Sequence, residues 1–232
     1  MIDVRPFATL GGANHGWLHA RHHFSFANYY DPARMGWGAI RVWNDDTIAA
    51  RSGFPPHPHA DMEIITYVRS GAITHQDSMG NQGRTAAGDV QVMSAGTGVR
   101  HSEYNLEDEE TTLFQIWVQT DKPGVEPGWG AKQFPKGGRA GSFVTLASGF
   151  AEDEDALRIH AAARVMGATV KAGETVELSL DPDRHAYLVP VGGAIELNGV
   201  RVEPRDGVAI TGEAKLVVKA IADAEIVLVD AR

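Results

Sequence analysis

The chain has 232 residues, of which 43% are hydrophobic and 22% are charged, and it contains ten His and no Cys. The absence of Cys excludes disulfides, thiolate nucleophiles and sulfur-based metal sites, so any metal ion must be held by His and carboxylate side chains. The formal net charge of −9 argues against direct nucleic-acid binding, which needs clustered Lys and Arg.

No membrane-spanning segment or secretory signal is predicted. The chain has no run of about eighteen apolar residues, which is the length that a membrane helix requires. The amino-terminal sequence MIDVRPFATLGG lacks a basic segment followed by an apolar stretch. We therefore expect a cytoplasmic protein with no membrane partner.

The spacing of turn residues predicts an all-β chain. Short segments rich in Val, Ile, Thr and aromatic residues alternate with Gly and Pro about every eight to twelve residues, which is typical of β-sandwiches and barrels. The predicted strands are 39–43, 61–69, 72–76, 89–94 and 112–119 in the first half, and 142–146, 160–170, 175–180, 185–190, 194–197, 208–211, 215–221 and 225–229 in the second. The segment 121–139 is rich in Pro and Gly and is predicted to be a linker. We therefore predict two all-β domains, 1–120 and 140–232.

Two short segments carry paired residues of the types that bind metal ions. His57 and His59 lie in GFPPHPHADMEI, and His101 and Glu103 lie in GTGVRHSEYN. Because alternate residues of an extended segment point to the same face, each pair projects to one side. Two such segments can converge on one ion inside a barrel. Three imidazoles and one carboxylate suit Fe(II), Mn, Ni, Cu or Zn and leave positions open for catalysis.

The second half of the chain resembles a degenerate copy of the first. EIITYVRSGAI at 63–73 aligns with HAYLVPVGGAI at 185–195, which indicates one duplicated β-barrel module. In that alignment the second copy has no His at the positions equivalent to His57, His59 and His101. The domain 140–232 is therefore predicted to lack metal ligands.

Two further groups of polar residues are assigned no catalytic role. His19, His22 and His23 have irregular spacing, and we expect them to lie at the surface or to serve packing. His75 and Asp77 share a strand face by alternation and are interpreted as part of a strand that runs into a turn.

The metal-ligand segments resemble the two motifs of the cupin superfamily. The positions that match motif 1 are Gly53, His57, His59, Glu63 and Gly71. The positions that match motif 2 are Gly88, Asp89, Gly96, His101 and Asn105, with Ala95 where that motif usually has Pro. More specifically, FSFANYYDPARMGWGAIRVWNDDTI, FPPHPHADMEI, THQDSMGN and MSAGTGVRHSEYN resemble the pirin family of bicupins. The similarity is dense over residues 24–105 and thins in the second half.

This resemblance implies two tandem antiparallel β-barrel (jelly-roll) domains, of which only the first binds metal. In pirins the ion is held by residues that match His57, His59, His101 and Glu103. The resemblance implies one divalent transition metal ion, Fe(II) ahead of Zn, Ni, Cu, Mn or Co. Many other cupins use the motif 1 carboxylate, here Glu63, and the sequence leaves that alternative open. We favour Glu103 because it shares a strand face with His101.

Some pirin relatives resemble quercetin 2,3-dioxygenases, which open the heterocyclic ring of a flavonol with O2 and release carbon monoxide. The resemblance therefore implies a small aromatic, flavonol-like substrate and O2. The metal would acidify the flavonol hydroxyl, and Glu103 would act as the catalytic base as well as a ligand. The alternative hypothesis is a non-enzymatic sensor of iron redox state that binds a transcription factor or a metabolic enzyme. We favour the enzyme.

Overall fold

The computed structural model describes all 232 residues and confirms an all-β chain. Its strands are β1 (Ile2–Arg5), β2 (Gly11–Asn14), β3 (Leu18–His22), β4 (Ile40–Ile48), β5 (Ser52–His59), β6 (Met62–Ser70), β7 (Ala72–Asp77), β8 (Gln82–Ala86), β9 (Val90–Ser94), β10 (Val99–Asn105), β11 (Thr111–Gln119), β12 (Gly128–Lys132), β13 (Val144–Ser148), β14 (Leu157–Arg158), β15 (Ala163–Val170), β16 (Thr175–Ser179), β17 (His185–Gly192), β18 (Ile195–Leu197), β19 (Val200–Val202), β20 (Gly207–Thr211), β21 (Lys215–Ala220) and β22 (Ala224–Ala231). Two short 3-10 helices span Phe7–Thr9 and Lys136–Arg139. Neither helix has the length or the apolar character needed to cross a bilayer.

Strands β2 to β12 form a first sandwich of two antiparallel sheets. The large sheet has the order β12-β9-β6-β11-β4-β3-β2, and the small sheet has the order β5-β10-β7-β8. Both segments that were predicted to carry metal ligands, β5 and β10, are neighbours in the small sheet. The small sheet therefore brings together side chains that are more than forty residues apart in the sequence.

The remaining strands form a second sandwich that repeats the first. Its large sheet has the order β1-β20-β17-β22-β15-β13-β14, and its small sheet has the order β16-β21-β18-β19. By this order β16 and β21 take the places of β5 and β10. Their sequences, TVELS and KLVVKA, contain no His. The two predicted cupin domains are thus present, and the strands equivalent to the histidine-bearing pair lack imidazole ligands.

One strand is exchanged between the sandwiches, and another extends the first sandwich beyond its predicted domain. Strand β1, which begins the chain, pairs with β20 of the second sandwich. Strand β12 lies within the segment predicted to be a linker and pairs with β9 of the first sandwich. The bounds 1–120, 121–139 and 140–232 remain a prediction. Strand β1 belongs to the second sandwich although it precedes the first in sequence, and β12 extends the first sandwich into the predicted linker.

The two large sheets pack face to face around a shared core. A cluster of 24 buried hydrophobic residues includes Ile65 and Phe114 from the first sandwich and Val165 and Val227 from the second. A separate cluster fills the interior of the second sandwich. In the first sandwich the interior hydrophobic clusters are smaller, because polar side chains and a cavity occupy part of the space.

Candidate metal centre

The pairing of β5 with β10 brings three imidazoles together. His101 lies opposite His57, and Val99 lies opposite His59, so alternation along β5 presents both of its histidines beside His101. The ring centroids of the three histidines are 4.5 to 5.0 Å apart. Their candidate ligand nitrogens all lie within 4.8 Å of one another. This cluster is able to hold a metal ion.

The hydrogen bonds around the imidazoles fit a metal ion. His57 Nδ1 donates to the carbonyl of Pro55 at 2.7 Å, which leaves the lone pair of Nε2 free. His57 Nε2 lies 3.1 Å from His101 Nε2, close to the ~3 Å that separates two nitrogens bound at right angles about 2.1 Å from one ion. His59 Nε2 is buried and has no hydrogen-bond partner. All three nitrogens are thus available to a cation.

Burial also sets the charge of these side chains. Burial, reinforced by the neighbouring imidazoles, lowers the pKa of His101 to about 3 and that of His59 to about 4. Both rings are therefore neutral at physiological pH. Neutral imidazole is the form that binds a metal ion without first releasing a proton.

Glu103 is buried beside these histidines and is held by three neutral donors. Its Oε1 accepts hydrogen bonds from the Thr66 hydroxyl at 3.1 Å and the Gln91 amide at 2.7 Å, and its Oε2 accepts one from the Gln115 amide at 2.7 Å. Glu103 forms a group with His101 and His75 rather than with all three histidines of the cluster. The ligand set His57, His59, His101 and Glu103 therefore remains a prediction, of which the structure brings the three imidazoles together in one group.

Glu63, the alternative carboxylate, faces away from the histidines. Side chains alternate along β6, where Ile64 lines the cavity of the first sandwich and Ile65 belongs to the core between the sandwiches. Glu63 is on the face of Ile65, and its Oε2 accepts a hydrogen bond from the Ser94 hydroxyl at 2.6 Å. This orientation favours Glu103 over Glu63 as the carboxylate of the site.

A cavity of about 370 Å³ opens onto the histidines, within the range typical of small-molecule sites. Its apolar wall includes Leu18, Phe26, Phe54, Ile64 and Trp117. The edge of the Trp117 ring meets the His59 ring with centroids 5.0 Å apart. The cavity therefore presents a mostly apolar surface beside the imidazole cluster.

A polar group on β3 and β4 lines the same cavity. His22 Nδ1 lies 2.8 Å from Asn44 Oδ1, and Asp46 is buried with its Oδ1 unpartnered. Burial, together with the nearby carboxylates of Asp45 and Glu103, raises the pKa of Asp46 well above its ordinary value. The sequence interpretation assigned His22 to the surface or to packing and did not identify Asn44 or Asp46.

The other two histidines of that sequence cluster do have the roles expected of them. His23 is fully buried and packs against Trp43 and Tyr187, whose hydroxyl lies 3.0 Å from its Nδ1. His19 is exposed on β3 and does not line the cavity. The sequence signal for this cavity group was the run Asn-Asp-Asp at 44–46, which directly follows the apolar residues Val42 and Trp43.

Two cupin sandwiches, with imidazoles clustered in only one of them, define a bicupin with a single candidate metal centre. Comparison with known families gives a more specific assignment. The Pirin family model matches residues 3–118, and the quercetinase C-terminal cupin domain model matches residues 145–231. The chain belongs to the pirin family.

Individual relatives agree with this assignment. The chain is 65% identical to a pirin-like protein of Caulobacter vibrioides over 100% of both chains. It is 42% identical to a quercetin 2,3-dioxygenase of Escherichia coli K12, covering 99% of this chain and 98% of the relative. The crystal structure of the bacterial pirin YhhW from Escherichia coli in complex with nickel(II) matches with a TM-score of 0.93 at 40% identity, covering 100% of this chain and 99% of that chain.

Proposed function

We propose that this chain is a metal-dependent dioxygenase that opens the heterocyclic ring of quercetin-type flavonols with O2 and releases carbon monoxide. The observation that supports the proposal is a cluster of three imidazoles and a buried carboxylate at the wall of a cavity whose surface is mostly apolar. The name of the Escherichia coli relative supports the same substrate class.

His57, His59 and His101 would hold the ion, with Glu103 as the fourth ligand. We propose Fe(II) as the native metal, with Zn, Ni, Cu, Mn and Co as alternatives that nitrogen and oxygen donors also accept. The nickel(II) bound by the related bacterial pirin supports a divalent transition metal in this fold. When bound, the metal supplies a Lewis-acid centre that acidifies a flavonol hydroxyl and brings substrate and O2 together.

Glu103 would accept the proton of that hydroxyl. The hydrogen bonds from Thr66, Gln91 and Gln115 hold its carboxyl group in one orientation at the cavity. Both oxygen atoms of O2 enter the ring-opened ester acid. Two C–C bonds of the heterocycle break, the carbon between them leaves as carbon monoxide with the oxygen of its own hydroxyl group, and the proton held by Glu103 returns to the ester acid. The reaction therefore needs no external reductant.

The cavity wall supports the fit of a flavonol. Phe54 and Trp117 offer aromatic surface near the histidines, which favours a planar ring system and excludes water. Asn44 and Asp46 offer polar atoms that can bond to phenolic hydroxyls. A flavonol has both features, since it combines flat apolar rings with hydroxyl groups.

The proposal is tested by loading the purified protein in turn with Fe(II), Ni(II), Cu(II) and Mn(II) and adding quercetin. We expect loss of the visible absorbance of quercetin together with uptake of O2 for at least one metal. His101→Ala should abolish turnover, whereas His19→Ala, which changes an exposed histidine outside the cavity, should retain it. Protein that binds metal but leaves both quercetin and O2 unchanged would contradict the proposal and favour the regulatory alternative.

A further inference from the structure

A series of buried, hydrogen-bonded side chains extends from His101 on the side away from His57. His101 Nδ1 lies 3.3 Å from His75 Nδ1, and His75 Nε2 lies 3.0 Å from Asp77 Oδ2. The side chains of His75 and Asp77 are at most 1% exposed. Strands β10 and β7 create this alignment, because their register sets His101 opposite Asp77 and Glu103 opposite His75. The proposed function gives no role to His75 or Asp77.

One arrangement of protons satisfies every hydrogen bond in this series of side chains. His101 Nε2 faces His57 Nε2, where both nitrogens need free lone pairs to bind a cation. His101 must then carry its proton on Nδ1 and donate it to His75 Nδ1. His75 in turn carries its proton on Nε2 and donates it to the Asp77 carboxylate. Each donor meets an acceptor, and the Asp77 carboxylate, which can only accept, sets the direction of both hydrogen bonds.

The Asp77 end of this hydrogen-bonded series is fixed in place. Asp77 Oδ1 accepts hydrogen bonds from the backbone amides of Met79 and Asn81, and Asp77 Oδ2 accepts one from the Asn81 side chain at 2.9 Å. These donors close the turn after β7. The carboxylate therefore keeps its orientation towards His75.

An aromatic ring from β12 fixes His75, the middle member of the series. The rings of His75 and Trp129 are parallel within 8°, with centroids 4.9 Å apart. Trp129 is also confined by Gly83 on β8, because the indole ring occupies the space that a Cβ atom at position 83 would need. The imidazole of His75 is therefore held between a tryptophan face and two hydrogen-bond partners.

We propose that His75 and Asp77 are positioning residues that hold His101 in the tautomer and orientation needed to bind the metal through Nε2. This inference rests on the metal site of the proposed function. A histidine ligand whose second nitrogen donates to an acceptor is a more basic and better oriented ligand. Loss of such a partner commonly lowers metal affinity by about 10- to 100-fold.

Two substitutions of His75 separate hydrogen bonding from packing. His75→Phe keeps an aromatic ring against Trp129 but removes the acceptor for His101 Nδ1–H. His75→Asn loses the aromatic ring but retains an amide oxygen close to the position of Nδ1. If His75 positions His101, the asparagine variant binds metal more tightly than the phenylalanine variant. If His75 serves packing alone, the order is reversed.

The measurement is the affinity of each purified protein for Ni(II), determined by competition with a chelator, with thermal unfolding of the metal-free proteins as the check on folding. We expect His75→Phe to lower the affinity by about 10- to 100-fold and His75→Asn to stay within severalfold of the wild type. Equal affinities, or a weaker asparagine variant, would overturn the positioning role. Wild-type protein that binds no Ni(II) would overturn the metal site itself, which separates the two failures.

Discussion

Glu103 and Glu63 are both buried carboxylates close to the candidate centre, but they lie on opposite sides of strand β6 and its sheet. Glu103 faces the cavity, whereas Glu63 faces the core between the sandwiches. We expect Glu103→Gln to lower kcat for quercetin by about 10²- to 10⁴-fold, because the amide cannot accept the substrate proton. Glu63→Gln is the matched control and should leave kcat within severalfold of the wild type. Steady-state O2 uptake measures both, and the reverse order of effects would identify Glu63 as the functional carboxylate.

His23 makes stability depend on pH. Burial, with nearby arginines such as Arg5, lowers its pKa to about 3 in the folded protein, whereas an unfolded histidine titrates near 6.5. Between these values the unfolded chain binds a proton that the folded chain does not, so stability falls as the pH is lowered, by up to about 1.4 kcal/mol per pH unit.

The test compares wild type with His23→Asn in urea at pH 7 and pH 4.5, with a chelator present. The wild type should lose more unfolding free energy between the two pH values than the variant, because the other histidines are common to both. Equal losses would show that His23 does not contribute to the acid sensitivity.

Much of the histidine cluster was predictable from local spacing. His57 and His59 share one face of an extended segment, and the His101 segment has the same pattern, so their convergence required only that two strands pair. The partners of Glu103 were not predictable in this way. Gln91 and Gln115 are each 12 residues from Glu103, but both lie on strands of the large sheet, so their contact with Glu103 on the small sheet depends on how the two sheets pack.

At the scale of elements, the exchanged strand β1 joins the chain's beginning to its second half. It pairs with β20 over Ile2 to Arg5, and Ile2 and Val4 pack against the core of the second sandwich. Deleting residues 1–5 should lower the free energy of unfolding by about 2–4 kcal/mol, since it removes several hydrogen bonds of about 1 kcal/mol each and some apolar burial.

Urea denaturation measures this change, and a chain that lacks only Met1 serves as the control. A deletion of residues 1–5 that leaves the unfolding free energy at the control value would show that β1 contributes no stability to the second sandwich.

Sequence patterns predicted most central strands and the edge strand β16, but missed several other edge strands, such as β2, β8 and β12. Predicted segments such as 61–69 and 112–119 coincide with β6 and β11, whose apolar residues are dense. Strand β12, with the sequence GWGAK, lies in a stretch rich in Gly and Pro, and only its pairing with β9 makes it a strand. Its Trp129 then reaches His75, a contact that no local pattern indicates.

At the scale of the whole molecule, two sandwiches of the same strand order share one core, yet only the first carries the imidazole cluster. The second sandwich has an interior filled by hydrophobic side chains, including Leu188 and Leu216, and its equivalent strands have no His. The chain should therefore hold one metal ion, although it contains two cupin modules. The second module packs against the first through the shared core, and we predict no metal site within it.

The metal content of protein purified without added metal tests this account most directly. Elemental analysis should find about one divalent transition metal ion per chain in the wild type and in the exposed-histidine control His19→Ala, and little metal in His57→Ala, which lacks one imidazole of the cluster. A metal-free wild type at neutral pH, or a His57→Ala variant with full metal content, would contradict it.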